Sequence, residues 1–192
     1  MCIVQGLYHK LRELWKKPGR ELVHEKMIQW RAGNAAVVVD KPLRLDRARA
    51  LGYKAKKGFV VVRIRVNRGG RTRSRHTHGR KSRKQRVRKV LKMSYQWVAE
   101  TRAANKFKNL EVLNSYNIGR DGKHYFFEVI MIDPDKPEIK KDKNYSWIVK
   151  GENRKRASRG LTSAAKKSRG LRSKSPKLKV RPSLRARGNL GK

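Results

Sequence analysis

The chain has 192 residues, of which 53 are Lys or Arg and only 14 are Asp or Glu, so its formal net charge is +39. Because of self-repulsion of that size, not all segments can pack against other segments of the chain. We expect part of the chain to fold only on a polyanionic partner. No apolar run approaches the roughly 20 residues that span a bilayer, and the single Cys excludes an internal disulfide.

Two helices and two strands are predicted in the first third of the chain. Leu7, Leu11 and Leu14 recur at helical spacing, and Val23, Met27 and Trp30 continue the pattern in a second helix that closes at Gly33. Two β-branched runs follow, and the second alternates charged and apolar residues at its end, which predicts a strand with one wet, basic face. The predicted bounds are helices at 7–16 and 23–33 and strands at 35–39 and 59–66, with a turn-rich basic segment at 41–58 between the strands.

The clearest local signals lie in the second half. Ser94 is placed to cap a helix that carries Trp97 on its apolar side. Two apolar runs then flank Gly119-Arg120-Asp121-Gly122, and Asp-Gly at such a junction predicts an antiparallel hairpin because both residues tolerate positive φ. We expect a helix at 94–108, strands at 110–118 and 123–132, and an anchoring segment at 145–149.

Acidic residues are missing from two long tracts. Residues 47–99 hold 19 of the Lys and Arg residues and residues 153–192 hold 15, with no Asp or Glu in either tract. Residues 67–92 include 12 of these cations and no aromatic residue, which is too little apolar surface to offset ordering entropy. We therefore predict an α+β fold, with helices packed on a four-stranded, mainly antiparallel sheet. We expect one domain at 1–150 with a basic loop at about 67–92, and an extended basic tail at 151–192.

Tracts without counter-charge suit a densely anionic partner, and a nucleic-acid backbone is the commonest one. Arg is abundant here, and its planar fork of donors fits phosphate oxygens. The irregular sequence of these tracts, with Gly residues scattered through it, favours folded RNA over DNA as the partner. The same charges also bind DNA, so a DNA-packaging protein is the alternative. The candidate RNA-binding residues of the densest region are Arg63, Arg65, Arg68, Arg71, Arg73, Arg75, Arg80, Arg83, Arg86 and Arg88.

No arrangement typical of an enzyme or a metal site is present in the sequence. None of the five His residues has the neighbours of a nucleophile, base or metal ligand, and His76-Thr77-His78 lies among Arg residues that repel a divalent cation. Lys57-Gly58-Phe59 matches the start of an RNA-recognition-motif signature, but Val61 and Ile64 stand where stacking aromatics are needed. The first residues lack the pattern of a signal peptide. We predict an intracellular protein without catalytic activity, metal, cofactor, small-molecule substrate or membrane association.

One extended motif and several shorter ones are spread over nearly the whole chain. The extended motif is KPLRLDRARALGYKAKKG at 41–58; the shorter ones are GRKSRKQ at 79–85, VLNSY at 112–116, EVIMIDP at 128–134, SWI at 146–148, RGLTS at 159–163 and RPS at 181–183. In this order they closely resemble the archaeal and eukaryotic large-subunit ribosomal protein family called fifteen-e. The departures are small: Leu43 stands where a hydroxyl residue often lies, and Lys57 where Gln is common.

The resemblance implies a cytoplasmic, structural protein of the large ribosomal subunit that binds large-subunit rRNA beside other ribosomal proteins. It also implies helices on both faces of a four-stranded antiparallel sheet, with basic extensions that penetrate RNA. Asp46 would clamp backbone or Arg, or cap a short helix at 47–51, and Tyr53 and Tyr116 would stack on bases or pack in the core. The further residues expected to face RNA are Arg44, Arg47, Arg49, Lys54, Lys56, Lys57, Lys81, Lys84, Arg159, Arg169, Arg172 and Arg181.

Overall fold

A sheet of four strands forms the centre of the structure, a computed structural model that describes residues 6–16, 19–70, 79, 91 and 93–172. The strands are β1 Ala36–Val39, β2 Phe59–Asn67, β3 Glu111–Arg120 and β4 His124–Ile132. They lie in the order β1-β2-β4-β3, and each neighbouring pair is antiparallel. The predicted α+β fold with an antiparallel sheet is confirmed.

Helices lie before, between and after the strands. Ser94 caps one of them as predicted, because its Oγ accepts a hydrogen bond from the Trp97 N–H at 3.2 Å. Within the described residues the helices are α1 Leu7–Lys16, α2 Arg20–Ala32, α3 Leu45–Ala50, α4 Tyr95–Lys106, α5 Pro137–Lys140, α6 Ser146–Val149 and α7 Ser163–Ser168, with a 3-10 turn at Gly151–Asn153. None of these helices combines the length and the apolar character needed to cross a membrane.

The strands alternate between two apolar faces, as the period of two requires. One face packs against α4: Ala99 and Ala103 of the helix lie on Val62, Ile64 and Val129 of β2 and β4. The opposite face packs against α2 and α3 through a second core cluster of Trp30, Ala48, Tyr116, Ile118, Phe126 and Ile130. Helices therefore cover both faces, which are named the α4 side and the α2 side after the helix that lies on each.

A smaller core cluster closes one end of the sheet. Ile132 packs there with Ile139 of α5 and with Tyr145 and Ile148, so the segment predicted as an anchor is buried in a helical turn. Gly58 enters β2 at this end with a φ of +91°, and a Cβ on it would lie 2.7 Å from Ile139 Cγ1. This close approach of α5 to β2 requires glycine.

The β3–β4 hairpin is confirmed, but its turn is built differently from the prediction. Strand β3 continues to Arg120, and Gly122 does not have a positive φ. The Asp121 carboxylate forms the turn instead, since its Oδ1 accepts hydrogen bonds from the N–H groups of Lys123 at 2.7 Å and His124 at 2.5 Å. An Asp side chain that replaces a backbone acceptor is a common way to close a turn.

Residues 151–172 differ from the extended tail that the sequence predicts. Ala157, Thr162 and Ala165 are buried, and the Trp97 indole N–H of α4 donates to the Ala157 carbonyl at 2.7 Å. Small side chains allow this segment to pack closely against α4 even though it is poor in apolar residues. Residues 173–192 lie outside the described residues, so an extended arm there stays a prediction.

Candidate nucleic-acid interface

A polar cleft of about 390 Å³ lies where α1, α3 and β3 meet beside the start of α4. Arg12, Arg44 and Arg47 line it together with the amides of Gln96 and Asn117. Arg12 and Arg47 are exposed, and neither side chain has a hydrogen bond or ion pair within the described part of the chain. Their guanidinium groups are therefore available to an anion in the cleft.

Arg44 and Asp46 form the floor of this cleft. Arg44 Nη2 lies 3.5 Å from Asp46 Oδ2, and their side chains are only 23% and 4% exposed. The Arg44 guanidinium also lies 5.2 Å from the centre of the Trp15 ring. Asp46 sits inside the first turn of α3, after the cap residue Arg44, and makes no capping bond. The capping interpretation of Asp46 is thus wrong, and the interpretation as a clamp on Arg is confirmed.

Lys54 and Lys56 share one carboxylate. Asp142 Oδ2 lies 2.5 Å from Lys56 Nζ and 3.3 Å from Lys54 Nζ. The hydrogen bond from Lys56 is the main reason that the pKa of Asp142 is lowered to about 2. Both ammonium groups also lie over the Tyr145 ring, at 5.0 and 5.7 Å from its centre. Lys57, by contrast, is exposed and has no side-chain partner among the described residues.

Arg63 and Arg65 lie on the α2 side of β2, half-buried under the helix rather than on a wet face. The Arg63 guanidinium lies 5.1 Å from the centre of the Trp30 ring, and burial lowers the pKa of Arg63 while Glu128 opposes the shift. Arg65 donates to the Trp30 carbonyl at 3.3 Å and to the Arg31 carbonyl. These carbonyls end α2, where the helix dipole favours a cation. Both Arg residues thus hold the helix on the sheet.

The remaining predicted residues divide in the same way. Arg68 donates to the Asp121 carbonyl at 2.7 Å, Arg159 to the Arg154 carbonyl at 3.0 Å and Arg169 to the Gly160 carbonyl at 2.8 Å. Arg49 is exposed above the Tyr8 ring, and Arg172 is exposed without a described partner. The predicted residues that lie outside the described ones are Arg71, Arg73, Arg75, Arg80, Lys81, Arg83, Lys84, Arg86, Arg88 and Arg181, together with His76 and His78.

Several aromatic side chains of the described residues pack inward. Phe59 meets the rings of Tyr145 and Tyr53 edge-on, at 5.1 and 6.0 Å between ring centres. Tyr116 is 3% exposed and its hydroxyl donates to Glu128. The interpretation of Tyr116 as a core residue is therefore correct. Since helices cover both faces, the sheet does not offer the open stacking platform of an RNA-recognition motif.

Two buried glutamates, which the sequence analysis did not single out, tie distant segments to the sheet. Glu100 of α4 accepts from the hydroxyls of Ser115 at 2.5 Å and of Thr162. Glu128 of β4 accepts from the Leu43 N–H at 3.1 Å and from the Tyr116 hydroxyl. Burial raises the pKa of both carboxyls, and the hydrogen bonds oppose it. A lone acid inside an apolar strand, such as Glu128, is the signal that points to a role of this kind.

Arg156 is a basic residue that the prediction also omitted. Its Nη1 donates to the carbonyls of Val112 at 2.7 Å and Leu113 at 2.8 Å, and its guanidinium lies 4.8 Å from the centre of the Trp147 ring. Burial lowers the pKa of Arg156, although Glu100 and Glu111 act in the opposite direction. Arg156 is therefore part of the folded core. Among the described residues, no group of three or more His, Cys, Asp and Glu is arranged to hold a metal ion.

Comparison with known proteins assigns the chain to a family. The sequence model of the family described as Ribosomal L15 matches residues 6–187. The chain belongs to this family. The protein named "Large ribosomal subunit protein eL15" from Methanocella arvoryzae is 50% identical over 196 aligned residues, which cover 99% of this chain and 100% of that protein. The protein of the same name from Methanospirillum hungatei is 46% identical with the same coverage.

The family that the sequence motifs indicated is thereby confirmed. A ribosomal protein of this family is a structural component of a ribonucleoprotein and not an enzyme. The paired arginines, buried glutamates and exposed cations described above are consequently features of a scaffold, and its chemistry is that of binding.

Proposed function

We propose that this chain is a structural constituent of the large ribosomal subunit that binds and stabilises folded large-subunit rRNA through its Arg- and Lys-rich surfaces and arms. The observation that carries the proposal is the similarity to large-subunit proteins over 99% of the chain. As a member of this family the protein works in the cytoplasm, within the ribosome. Its partners are rRNA and the neighbouring proteins of the subunit.

The described cations support a division of labour. Arg44, Arg63 and Arg65 contact an internal carboxylate, ring or carbonyl group and hold elements together. Arg12 and Arg47 are exposed and have no side-chain hydrogen bond or ion pair in the described part of the chain, so they are cations that neutralise phosphates. Contacts to phosphate fix the position and orientation of a protein on its nucleic acid. The folded part of the chain thus provides the register of binding.

Two segments within the acid-free tracts, residues 67–92 and 173–192, supply the rest of the interaction. Residues 67–92 and 173–192 have no carboxylate of their own to compete with phosphate, so we assign to them the role of arms that join separate rRNA segments. Affinity from many phosphate contacts is large and falls steeply with salt, because each contact releases counterions.

A salt titration with a transcript of large-subunit rRNA tests the assignment of the exposed cations. Arg12→Ser and Arg47→Ser should each reduce the log–log salt slope of binding by about 0.7 to 0.9 without lowering the unfolding midpoint. Arg65→Ser is the matched control, because its cation is used inside the fold: it should lower the unfolding midpoint instead. Unchanged slopes for Arg12→Ser and Arg47→Ser would contradict this assignment.

Incorporation into the subunit tests the arms. Serine substitution of the arginines in 71–88 should release the protein from large subunits that sediment through a high-salt gradient. Retention equal to that of the unmodified chain would reject the role of this arm. Migration of the unmodified chain with DNA would instead support the DNA-packaging alternative.

A further inference from the structure

The turn of the β3–β4 hairpin lines two clefts. One cleft, of about 510 Å³, is formed by α2 and the end of β3 and is lined by Val23, Met27, Arg31, Arg120 and Asp121 among others. The second, also of about 510 Å³, lies beyond the turn and includes Arg68 and Lys123. Gly122 lines both clefts.

The first cleft combines an apolar wall with a cationic rim. Its lining is mainly apolar, and Val23 and Met27 contribute to it from consecutive turns of α2. Arg120 is exposed and its side chain has no described partner, while the Arg31 side chain is 41% exposed. A volume of this size lies within the range of ligand-binding clefts, about 300 to 1,000 Å³.

The only carboxylate that lines this cleft, among the described residues, is already used. Asp121 Oδ1 accepts the two backbone hydrogen bonds that close the turn, and Oδ2 lies 3.4 Å from His124 Nδ1 and 3.8 Å from Arg31 Nε. These contacts leave it little capacity to bind a cation. They also fix the turn, so the rim is held in place before any ligand arrives.

We infer that the α2–hairpin cleft receives one unpaired base of an RNA strand whose phosphates cross the hairpin tip. The apolar wall suits the face of a base, a guanidinium plane such as that of Arg31 or Arg120 stacks on bases, and the cations on both sides of Gly122 suit the flanking phosphates. A basic peptide is excluded by this charge. The inference rests on the proposed function, since it names the RNA element that this part of the surface binds.

Binding of two RNA hairpins to the full chain tests the inference. The hairpins differ only in a single bulged 2-aminopurine, and the fully paired hairpin reports the phosphate contacts alone. We expect the bulged RNA to bind about 5- to 150-fold more tightly, which is the range for stacking one base. Fluorescence of the 2-aminopurine should change on binding. Equal affinity for the two hairpins would overturn the base-binding cleft.

Two variants with matched controls locate the effect. Val23→Trp fills the cleft without a change of charge, so it should abolish the preference for the bulge and leave the affinity for paired RNA unchanged. Ile28→Trp, at an exposed position of the same helix, should keep the preference. Arg120→Ser should lower the log–log salt slope of binding for both RNAs by about 0.7 to 0.9. Arg102→Ser on α4, outside the cleft, is its control.

The outcomes separate this inference from the proposed function. Persistence of the bulge preference in Val23→Trp rejects the cleft as its origin, while RNA binding itself stands. Failure of the unmodified chain to bind either hairpin or an rRNA transcript rejects both proposals. If the two hairpins bind equally well and an acidic peptide displaces both, this surface would be assigned to a protein partner.

Discussion

On each side of the sheet a buried glutamate accepts hydrogen bonds from side-chain hydroxyls, but the other groups around the two glutamates differ. On the α4 side, Glu100 is fully buried beneath the hydroxyls of Ser115 and Thr162. A hydroxyl can donate or accept a hydrogen bond, so it adapts to either protonation state of the acid. The Arg156 guanidinium is also close enough to Glu100 to influence its pKa.

On the α2 side one partner of Glu128 is a backbone N–H, which can only donate. The Leu43 N–H donates to it, as does the Tyr116 hydroxyl, and the Arg63 guanidinium is close enough to influence its pKa. The donors oppose the rise in the pKa of Glu128 that burial causes, as they do for Glu100. The two sides differ because the carboxyl group on the α2 side faces a backbone N–H, which cannot reorient, whereas the carboxyl group on the α4 side faces side-chain hydroxyls.

Substitution of Glu128, which faces a backbone donor, should give the larger effect. Glu128→Gln replaces one acceptor oxygen with a donor among fixed donors, so we expect the free energy of unfolding to fall by about 2 kcal/mol. Chemical denaturation of the full chain at neutral pH measures it. Glu138→Gln, at an exposed position of α5, is the control and should change stability by less than about 0.5 kcal/mol. A loss at Glu128 no larger than that at the control would contradict the role of the buried carboxyl group.

The second test concerns Thr162, which joins α7 to the α4 side. Its Oγ1 donates to Glu100 and accepts from the Ala165 N–H at 3.4 Å as the cap of α7. Thr162→Val removes both interactions and should lower the free energy of unfolding by about 1 to 2 kcal/mol. Thr162→Ser keeps the hydroxyl and should retain most of the stability in the same denaturation experiment. A larger loss in Thr162→Ser than in Thr162→Val would point to the methyl group rather than the hydroxyl.

The smallest effect is expected at Glu100 itself. The hydroxyls of Ser115 and Thr162 can accept a hydrogen bond from the amide that Glu100→Gln introduces. The free energy of unfolding at neutral pH should therefore change by less than about 1 kcal/mol. The pH dependence is more informative: because the pKa of Glu100 is raised in the folded state, the native chain binds more protons than the unfolded chain. Stability then decreases as the pH rises from about 4.5 through the raised pKa.

Denaturation of Glu100→Gln over that pH range supplies the check. The variant should lose part of the decrease and keep the part that Glu128 contributes, since the pKa of Glu128 is raised as well. A pH profile that coincides with that of the unmodified chain would show that Glu100 does not titrate differently in the folded and unfolded states.

The sequence allows prediction where the determining interactions are local. The four strands follow from apolar runs and α4 follows from Ser94, because periodicity and capping act over a few residues. Segment 151–172 was missed because its packing uses Ala and Thr side chains without an apolar period. The sequence locates the β3–β4 turn but not the interaction that closes it. Asp-Gly is compatible both with a backbone of positive φ and with an Asp side chain that accepts backbone hydrogen bonds.

The candidate interface shows the same limit. Composition assigns Arg65 to a binding surface, and the family resemblance assigns Lys56 to it. Neither reveals which cations are already paired. Lys56 meets Asp142, which is 86 residues further along the chain, and Arg65 meets the end of α2. Such pairings depend on tertiary structure alone. The availability of an individual cation therefore has to be taken from the fold.

The position of β4 between β2 and β3 affects how the chain matures during synthesis. Strand β2 ends at Asn67, but its partner β4 ends at Ile132, so 65 further residues must be made before the pair is complete. At typical elongation rates of 5 to 20 residues per second this takes about 3 to 13 s. The most basic part of the chain emerges in that interval, before Glu128 and Asp142 exist to occupy Arg63 and Lys56. A nascent chain in that state has β2 without its neighbour β4, and Arg63 and Lys56 without their carboxyl partners, which makes shielding by a chaperone most valuable in that period.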